Sequence, residues 1–174
     1  PRLDEDCQLL LSGLKEKSND TILEAVVGYL AANGIHMESQ ARFLRHILAV
    51  QGVLVGEAPT PTEEEDIRIG FRLAKEIARL DIGQTVLVKN GVVLAIEAIE
   101  GTDLTIERGG YLGGKGAIAI KVAKPFQNQF FDLPVVGLGT IRSMIKSNVQ
   151  ILAVEAGVTF ILQKEELLNQ AKKN

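Results

Sequence analysis

The sequence predicts an α/β fold, a layered α/β/α domain with a mixed sheet, preceded by a mostly helical stretch. Three observations carry that expectation. Short β-rich runs, TVLVKNGVVLAIE (85–97), GAIAIKVA (116–123), ILAVEA (151–156) and VTFIL (158–162), alternate along the chain with amphipathic helical patterns. Asn90–Gly91 is the preferred pair for a type I′ hairpin turn. The chain has 174 residues and is 46% hydrophobic, enough for a dry core and too apolar for disorder.

Taken in order, the first third reads as helical. Leu9, Leu10, Gly13 and Leu14 share one face of a first helix. Ser18 to Asp20 offer caps for a second, with Ile22, Val26, Val27 and Leu30 inward and a stop at Asn33–Gly34. GIHM (34–37) suits an edge strand, and 43–48 a shorter helix. GEAPTPT (56–62), with its two prolines, is the best boundary, dividing residues 1–57 from a main domain over 58–174. Thr62 then caps a helix, Glu65 completes a capping box, and Ile67, Phe71, Ala74, Ile77 and Ala78 form its apolar face. The acidic run there belongs to a helix start, where the dipole favours it. After the hairpin and the third strand, LPVVGLGTI turns into a helix near Thr140, with Ile141, Met144 and Ile145 inward. ILAVEA and VTFIL flank Ala156–Gly157 as two strands or one bent hairpin, and QKEELLNQAKK closes the chain as a polar helix.

Composition excludes several functions. Net charge is −3 with no long basic tract, and there is no Trp, so nucleic acid is not an expected partner. Cys7 is the single cysteine, which forbids an internal disulfide, argues against a thiolate metal site and fits a reducing compartment. No apolar run is long enough for a membrane span, and no signal peptide is visible. Opening on Pro1 reads as a processed chain or a piece of something longer. His36 and His46 are not at metal spacing, and no serine sits in a nucleophile elbow.

The chemistry concentrates in LAIEAIEGTD (94–103), a strand ending in Glu97, Glu100 and Asp103 around Gly101. Gly101 or Thr102 caps a helix running through Leu104, Ile106 and Glu107, which puts Asp103 in its first turn and Glu100, Asp103 and Glu107 towards one side. Gathered carboxylates repel unless a cation or donors compensate. Their oxygens suit Mg²⁺ or Mn²⁺, while a solvated helix start with Asp103 serving the dipole remains an equal reading. RGGYLGGKGAIAIKVAKP follows, with Gly109, Gly110, Gly113, Gly114, Gly116, Lys115, Lys121 and Lys124. Glycine N–H groups and lysines beside an acid cluster suit metal-assisted phosphoryl chemistry. The spacing matches neither a Walker loop nor a dinucleotide fingerprint, and a flexible surface turn competes on equal terms.

The blocks LDIGQTVLVKNGVVLAIEAIEGTD, RGGYLGGKGAIAIKVAKP, FDLPVVGLGTI and ILAVEAGVTFIL together resemble the C-terminal domain of the UDP-2,3-diacylglucosamine pyrophosphatase family of lipid A synthesis, from about Glu63 to the end of the chain. This is the branch unrelated to the calcineurin-like metallophosphatases. KSNDTILEAVVGYLAANGI resembles the end of that family's N-terminal, Rossmann-like domain, so residues 1–57 are expected to be its remnant. The resemblance implies Mg²⁺-assisted hydrolysis of UDP-2,3-diacylglucosamine to UMP and 2,3-diacylglucosamine 1-phosphate. It implies that Asp103, the acid of the EGTD block, is essential, as metal ligand or general base. Glu97 or Glu100 would support the metal, and Gly101, Thr102, Lys121, Lys124 and Gln127 would hold phosphates or substrate. The implied setting is the Gram-negative cytoplasm, peripheral to the inner membrane, with the N-terminal domain as partner and homo-oligomerisation left open. One block departs from the family pattern of Gln-Asp, one residue, then Arg-Phe-Asp. Here it reads QNQFFD, with Asn128 for the acid and Phe130 for the arginine, while Gln127 and Asp132 remain. That departure motivates an alternative, a non-catalytic binder of nucleotide-sugar or lipid phosphate.

Overall fold

The computed structural model describes residues 4–15, 19–125 and 130–174. The chain divides into two compact units, one running to Phe43 and taking in Phe130 and Phe131, the other beginning at Leu44 and holding the rest. The first contains α1 (Glu5–Ser12), α2 (Asn19–Ala32) and α3 (Gln40–Phe43). Asp4 caps α1 by accepting the Cys7 amide at 2.8 Å, and the Tyr29 hydroxyl of α2 donates to Asp6 at 2.8 Å. Gly34, at φ 79°, ends α2 where Asn33–Gly34 predicted a stop. The strand expected at GIHM does not form: residues 35–39 carry no regular structure and pair with nothing in a described ladder. A third helix over 43–48 is likewise replaced by α3 and a short 3-10 turn at Arg45–Ile47.

The second unit opens with α4 (Pro61–Arg79), whose N-cap is Thr60 rather than Thr62. Both threonines precede a glutamate by three residues, so the capping pattern alone cannot choose between them. Pro61 decides: it lacks an N–H and fits the first helical position, where none is needed. The Thr60 amide donates to Glu63 at 2.8 Å, and the Glu63 amide donates back to the Thr60 hydroxyl. Hairpin strands β1 (Thr85–Lys89) and β2 (Val92–Ile96) follow, joined through Asn90 and Gly91 at φ 49° and 75°. Asp66 of α4 is buried and accepts both turn amides, at 2.7 and 2.6 Å. It therefore does more than serve a helix dipole: it clamps the hairpin turn to the helix.

Next come α5 (Thr102–Gly113), β3 (Ala117–Lys121), β4 (Val135–Val136), α6 (Leu138–Ser147), β5 (Val149–Val154), β6 (Phe160–Ile161) and α7 (Lys164–Lys173). The main sheet has the order β2-β1-β3-β5, with β1 antiparallel to both neighbours and β3 parallel to β5. Strands β2, β3 and β5 thus run in one direction, and α5 and α6 are the crossovers between them. The pleat sorts the core. Val86, Val88, Ile118 and Ile120 face Ala74 and Ala78 of α4 on one side. Leu87, Ala117 and Ala119 face Ile106 of α5 and Ile141 and Met144 of α6 on the other. Leu167 brings α7 into that second layer. The result is the α/β/α arrangement with a mixed sheet.

Of the two arrangements open for ILAVEA and VTFIL, two separate strands form: β5 pairs with β3, while β6 pairs in parallel with the two-residue β4, aligning Val135 with Phe160. Ile145, expected inward, turns outward on α6, 39% exposed, leaving Ile141 and Met144 to fill the core.

Candidate active site at two helix starts

All three co-directional strands end on the same edge of the sheet, the edge where α/β proteins place ligands. Glu97 follows β2 and Lys121 ends β3 there, and α5 begins there too. A cleft of about 480 Å³ opens at this edge, lined by Glu100–Leu104, Lys121, Val135, Gly137, Gly139, Thr140 and Leu162.

Its floor is polar and fixed. Lys121 follows the parity of Ala117 and Ala119, so its side chain emerges on the α5–α6 face. It is 6% exposed and donates to the Thr102 hydroxyl at 2.6 Å. That hydroxyl donates in turn to Glu97 Oε1 at 2.8 Å, and Glu97 Oε2 accepts the Gln84 amide at 3.2 Å. Burial pushes the Lys121 ammonium below the usual lysine range, and the carboxylates of Glu97, Asp103 and Asp132 pull it back up. An ammonium has three donors. Among the described residues Thr102 is its one hydrogen-bond acceptor, so the remaining donors are available to a ligand in the cleft.

Two helices start here with nothing capping them. Gly101, at φ 81°, is the N-cap of α5, and Gly137 is the N-cap of α6; neither helix has a side-chain cap. Their first-turn N–H groups are orphans carrying the positive end of each dipole. Asp103 stands between them: a Cβ added at Gly139 would lie 3.2 Å from its Oδ2, so this carboxylate rests over the first turn of α6. Two open helix starts, a buried ammonium and an exposed carboxylate make a site for an anion of phosphate type.

The predicted site residues therefore separate. Gly101, Thr102, Asp103 and Lys121 meet in the cleft. Glu97 sits behind it, held by Thr102 and Gln84. Glu100 reaches the cleft wall but gives Oε1 to Arg108 at 2.6 Å and Oε2 to the Ala98 amide at 3.1 Å. The backbone amide of Glu100 itself and then Arg108 hold this carboxyl below the usual range. Glu107 turns to Lys146 on α6, at 2.8 Å, instead of joining Asp103. No group of three metal-ligating side chains converges among the described residues. Lys124 is absent from the cleft lining; it pairs with Asp81 at 2.7 Å and with Asp132 at 3.9 Å. Gln127 lies outside the described residues.

The glycine-rich segment is no phosphate loop. Gly109 and Gly110 are buried inside α5. A Cβ at Gly110 would run into the backbone oxygen of Ser147, and one at Gly109 would run into Leu87. These glycines let α5 lie close on the sheet and on α6. The sequence reading missed the glycines that do face the cleft, Gly137 and Gly139. Their signal was available: VVGLGT is an apolar pair leading straight into a helix, with glycine where a capping side chain would stand.

The family model for the LpxI C-terminal domain matches residues 50–174. This chain belongs to the LpxI family. A relative from Caulobacter vibrioides, named UDP-2,3-diacylglucosamine pyrophosphatase LpxI, is 30% identical over 163 residues. The alignment takes in 89% of this chain and 58% of that protein, so the chain spans somewhat over half the length of the relative it matches. The LpxI match covers every residue that lines the cleft. Among the described residues no helix is long and apolar enough to cross a membrane.

Proposed function

We propose that this chain carries the hydrolytic centre of a UDP-2,3-diacylglucosamine pyrophosphatase, which uses Mg²⁺ and water to give UMP and 2,3-diacylglucosamine 1-phosphate. One observation carries the reading: Lys121, two uncapped helix starts and Asp103 share a single cleft. Lys121 and the orphan N–H groups of α5 and α6 hold phosphate oxygens and stabilise the charge that builds up there. Thr102, fixed between Lys121 and Glu97, keeps the ammonium in place. Water's oxygen bonds to one phosphorus, the bridging P–O bond breaks, and the bridging oxygen leaves on the other phosphate. Water's protons pass to phosphate oxygens and solvent.

The donors present fit Mg²⁺ of the kind that arrives with a diphosphate. Asp103 offers one exposed carboxylate, and Mg²⁺ commonly takes one or two carboxylates with phosphate oxygens completing its shell. When bound, the ion polarises the phosphoryl group. Glu100, engaged by Arg108, and Glu97, engaged by Thr102 and Gln84, serve the loop and the floor rather than the ion. The stretch up to Phe43 belongs, on this reading, to the end of a partner domain that completes the enzyme, while residues 44–57 pack into the second unit. The lipid substrate sets the place of action, the cytoplasmic surface of the inner membrane.

The test is UMP release from UDP-2,3-diacylglucosamine by the protein in its full-length context. Release requires Mg²⁺, stops with EDTA, and falls about 10³-fold in Asp103→Ala. A folded protein that binds the UDP-lipid tightly and releases no UMP selects the second reading, a non-catalytic binder. The QNQFFD departure favours that second reading.

A further inference from the structure

An ion pair outside the cleft holds the end of the strand that supplies its ammonium. Lys75 of α4 lies 2.8 and 2.7 Å from the two carboxylate oxygens of Glu155, the residue after β5. Their side chains are only 26% and 23% exposed. Both also bind the main chain of one short segment. Glu155 Oε2 accepts the Ala123 amide at 2.8 Å, and the Lys75 ammonium donates to the Ala123 carbonyl at 2.9 Å. The Glu155 amide donates to the carbonyl of Lys121 itself at 3.2 Å. The ladder between β3 and β5 ends at Lys121 and Val154. Beyond that point the Glu155 and Lys75 side chains take the part a strand would play, so the buried Ala123 keeps both its N–H and its C=O paired.

A second set of contacts leaves the same segment. The Val122 amide donates to the Gln84 carbonyl at 3.0 Å. The Gln84 amide donates to Glu97, whose other oxygen takes the Thr102 hydroxyl, and the Lys121 ammonium donates to that hydroxyl. Contacts thus run in a closed ring from the main chain at Lys121 and Val122 to the tip of the Lys121 side chain. The ion pair ties that ring to α4.

We propose that Lys75 and Glu155 are positioning residues for Lys121: they fix the exit of β3 so that the ammonium stays where a phosphate can meet it. The inference rests on the reading of Lys121 as a phosphate donor. Neither residue of the pair lines the cleft, so both act through Lys121. Val122 and Ala123 are buried in a close-packed core, which passes a shift of their path on to Lys121 instead of absorbing it. A misplacement of about 1 Å from a change far from the chemistry can cost a site about 10²-fold in rate.

Calorimetric titration of this chain with inorganic phosphate tests the proposal, together with the Lys121 Cε–Hε signal in carbon-13 NMR spectra, assigned by its loss in Lys121→Met. Glu155→Ala is expected to weaken phosphate binding by about tenfold and to shift that signal. Glu155→Gln, which can still accept the Ala123 amide, should keep most of the affinity. Lys75→Met should move both readouts in the direction of Glu155→Ala. Gly110→Ala, which strains the fold elsewhere, should move neither. If Glu155→Ala does not fold, Lys75→Met decides with the same two readouts. Full affinity or an unmoved Lys121 signal in the folded variant overturns the positioning role and leaves the phosphate floor standing. So does a Gly110→Ala protein that moves both readouts as far, since the effect would then be general loosening. A Lys121→Met protein that binds phosphate as wild type does overturns the floor, and the positioning role with it.

Discussion

Helix α5 has two regions that use the same residue for opposite ends. At its start, Gly101 sits beside open space, at φ 81° and ψ 171°, with an uncapped helix turn beyond it. Along its body, Gly109, Gly110 and Gly113 are pressed against Leu87, Ser147 and Leu94. The first glycine is needed for its backbone angle, the others for their lack of volume. One helix therefore delivers an exposed, uncapped end by burying a smooth flank. The lesson is that a glycine-rich block next to an acidic one does not by itself make a phosphate loop.

The sharpest way to break this comparison is Gly110→Ala. Its added carbon meets a backbone carbonyl that cannot move aside, which should cost about 3 kcal/mol, of which the better helix propensity of Ala returns about 1 kcal/mol. Urea unfolding should show the net loss, while phosphate affinity of the folded protein stays as it was. A variant as stable as wild type would mean that α5 and α6 are further apart than described.

Lys121→Met attacks the other region. It removes the ammonium from the floor and should weaken phosphate binding by about tenfold, roughly 1.4 kcal/mol, with the amide spectrum of the fold retained. Unchanged affinity would remove Lys121 from the site. A smaller effect is expected for Gly101→Ala. Nothing lies within reach of the new methyl group, so the cost is conformational alone, about 1 kcal/mol. Gly101→Asn should recover little of it in the same melting experiment, because ψ 171° lies outside the αL basin that Asn tolerates.

The smallest effect concerns Glu100. Its carboxyl is held below its ordinary value of 4.5, so the folded state binds its proton less readily than the unfolded chain does. The stabilisation is fully present above the unfolded value and is lost as pH falls through the folded one. The stability difference between wild type and Glu100→Gln should therefore be constant near neutrality and shrink below about pH 4.5. A difference that persists into stronger acid would show that the charge of the Glu100 carboxylate, held by its own amide and by Arg108, is not what stabilises the fold there.

Much of the fold was legible because local chemistry and tertiary need agree. Asn90–Gly91 turns where the hairpin turns, and the alternation in AIAIK sorts cleanly onto the two sheet faces. What stayed hidden depends on distant partners. β4 and β6 are two residues each and exist only through each other, with Leu48 bridging to Phe160. Lys121 and Lys124 look alike in the sequence, yet the first ends a strand on the α5 face and the second turns to Asp81 beyond the end of α4. The place of Asp103 in the first turn of α5 was readable from its block. Its companions on α6 were not, because no local pattern says which helix start will face it.

Asp66 carries a consequence of its own. By taking the Asn90 and Gly91 amides in its buried carboxylate, it joins the first turns of α4 to the far end of a hairpin 24 residues on. Those two amides should exchange with solvent only when helix and hairpin come apart together. Their deuterium uptake then reports a single cooperative opening of that half of the sheet, far from the edge where phosphate would bind.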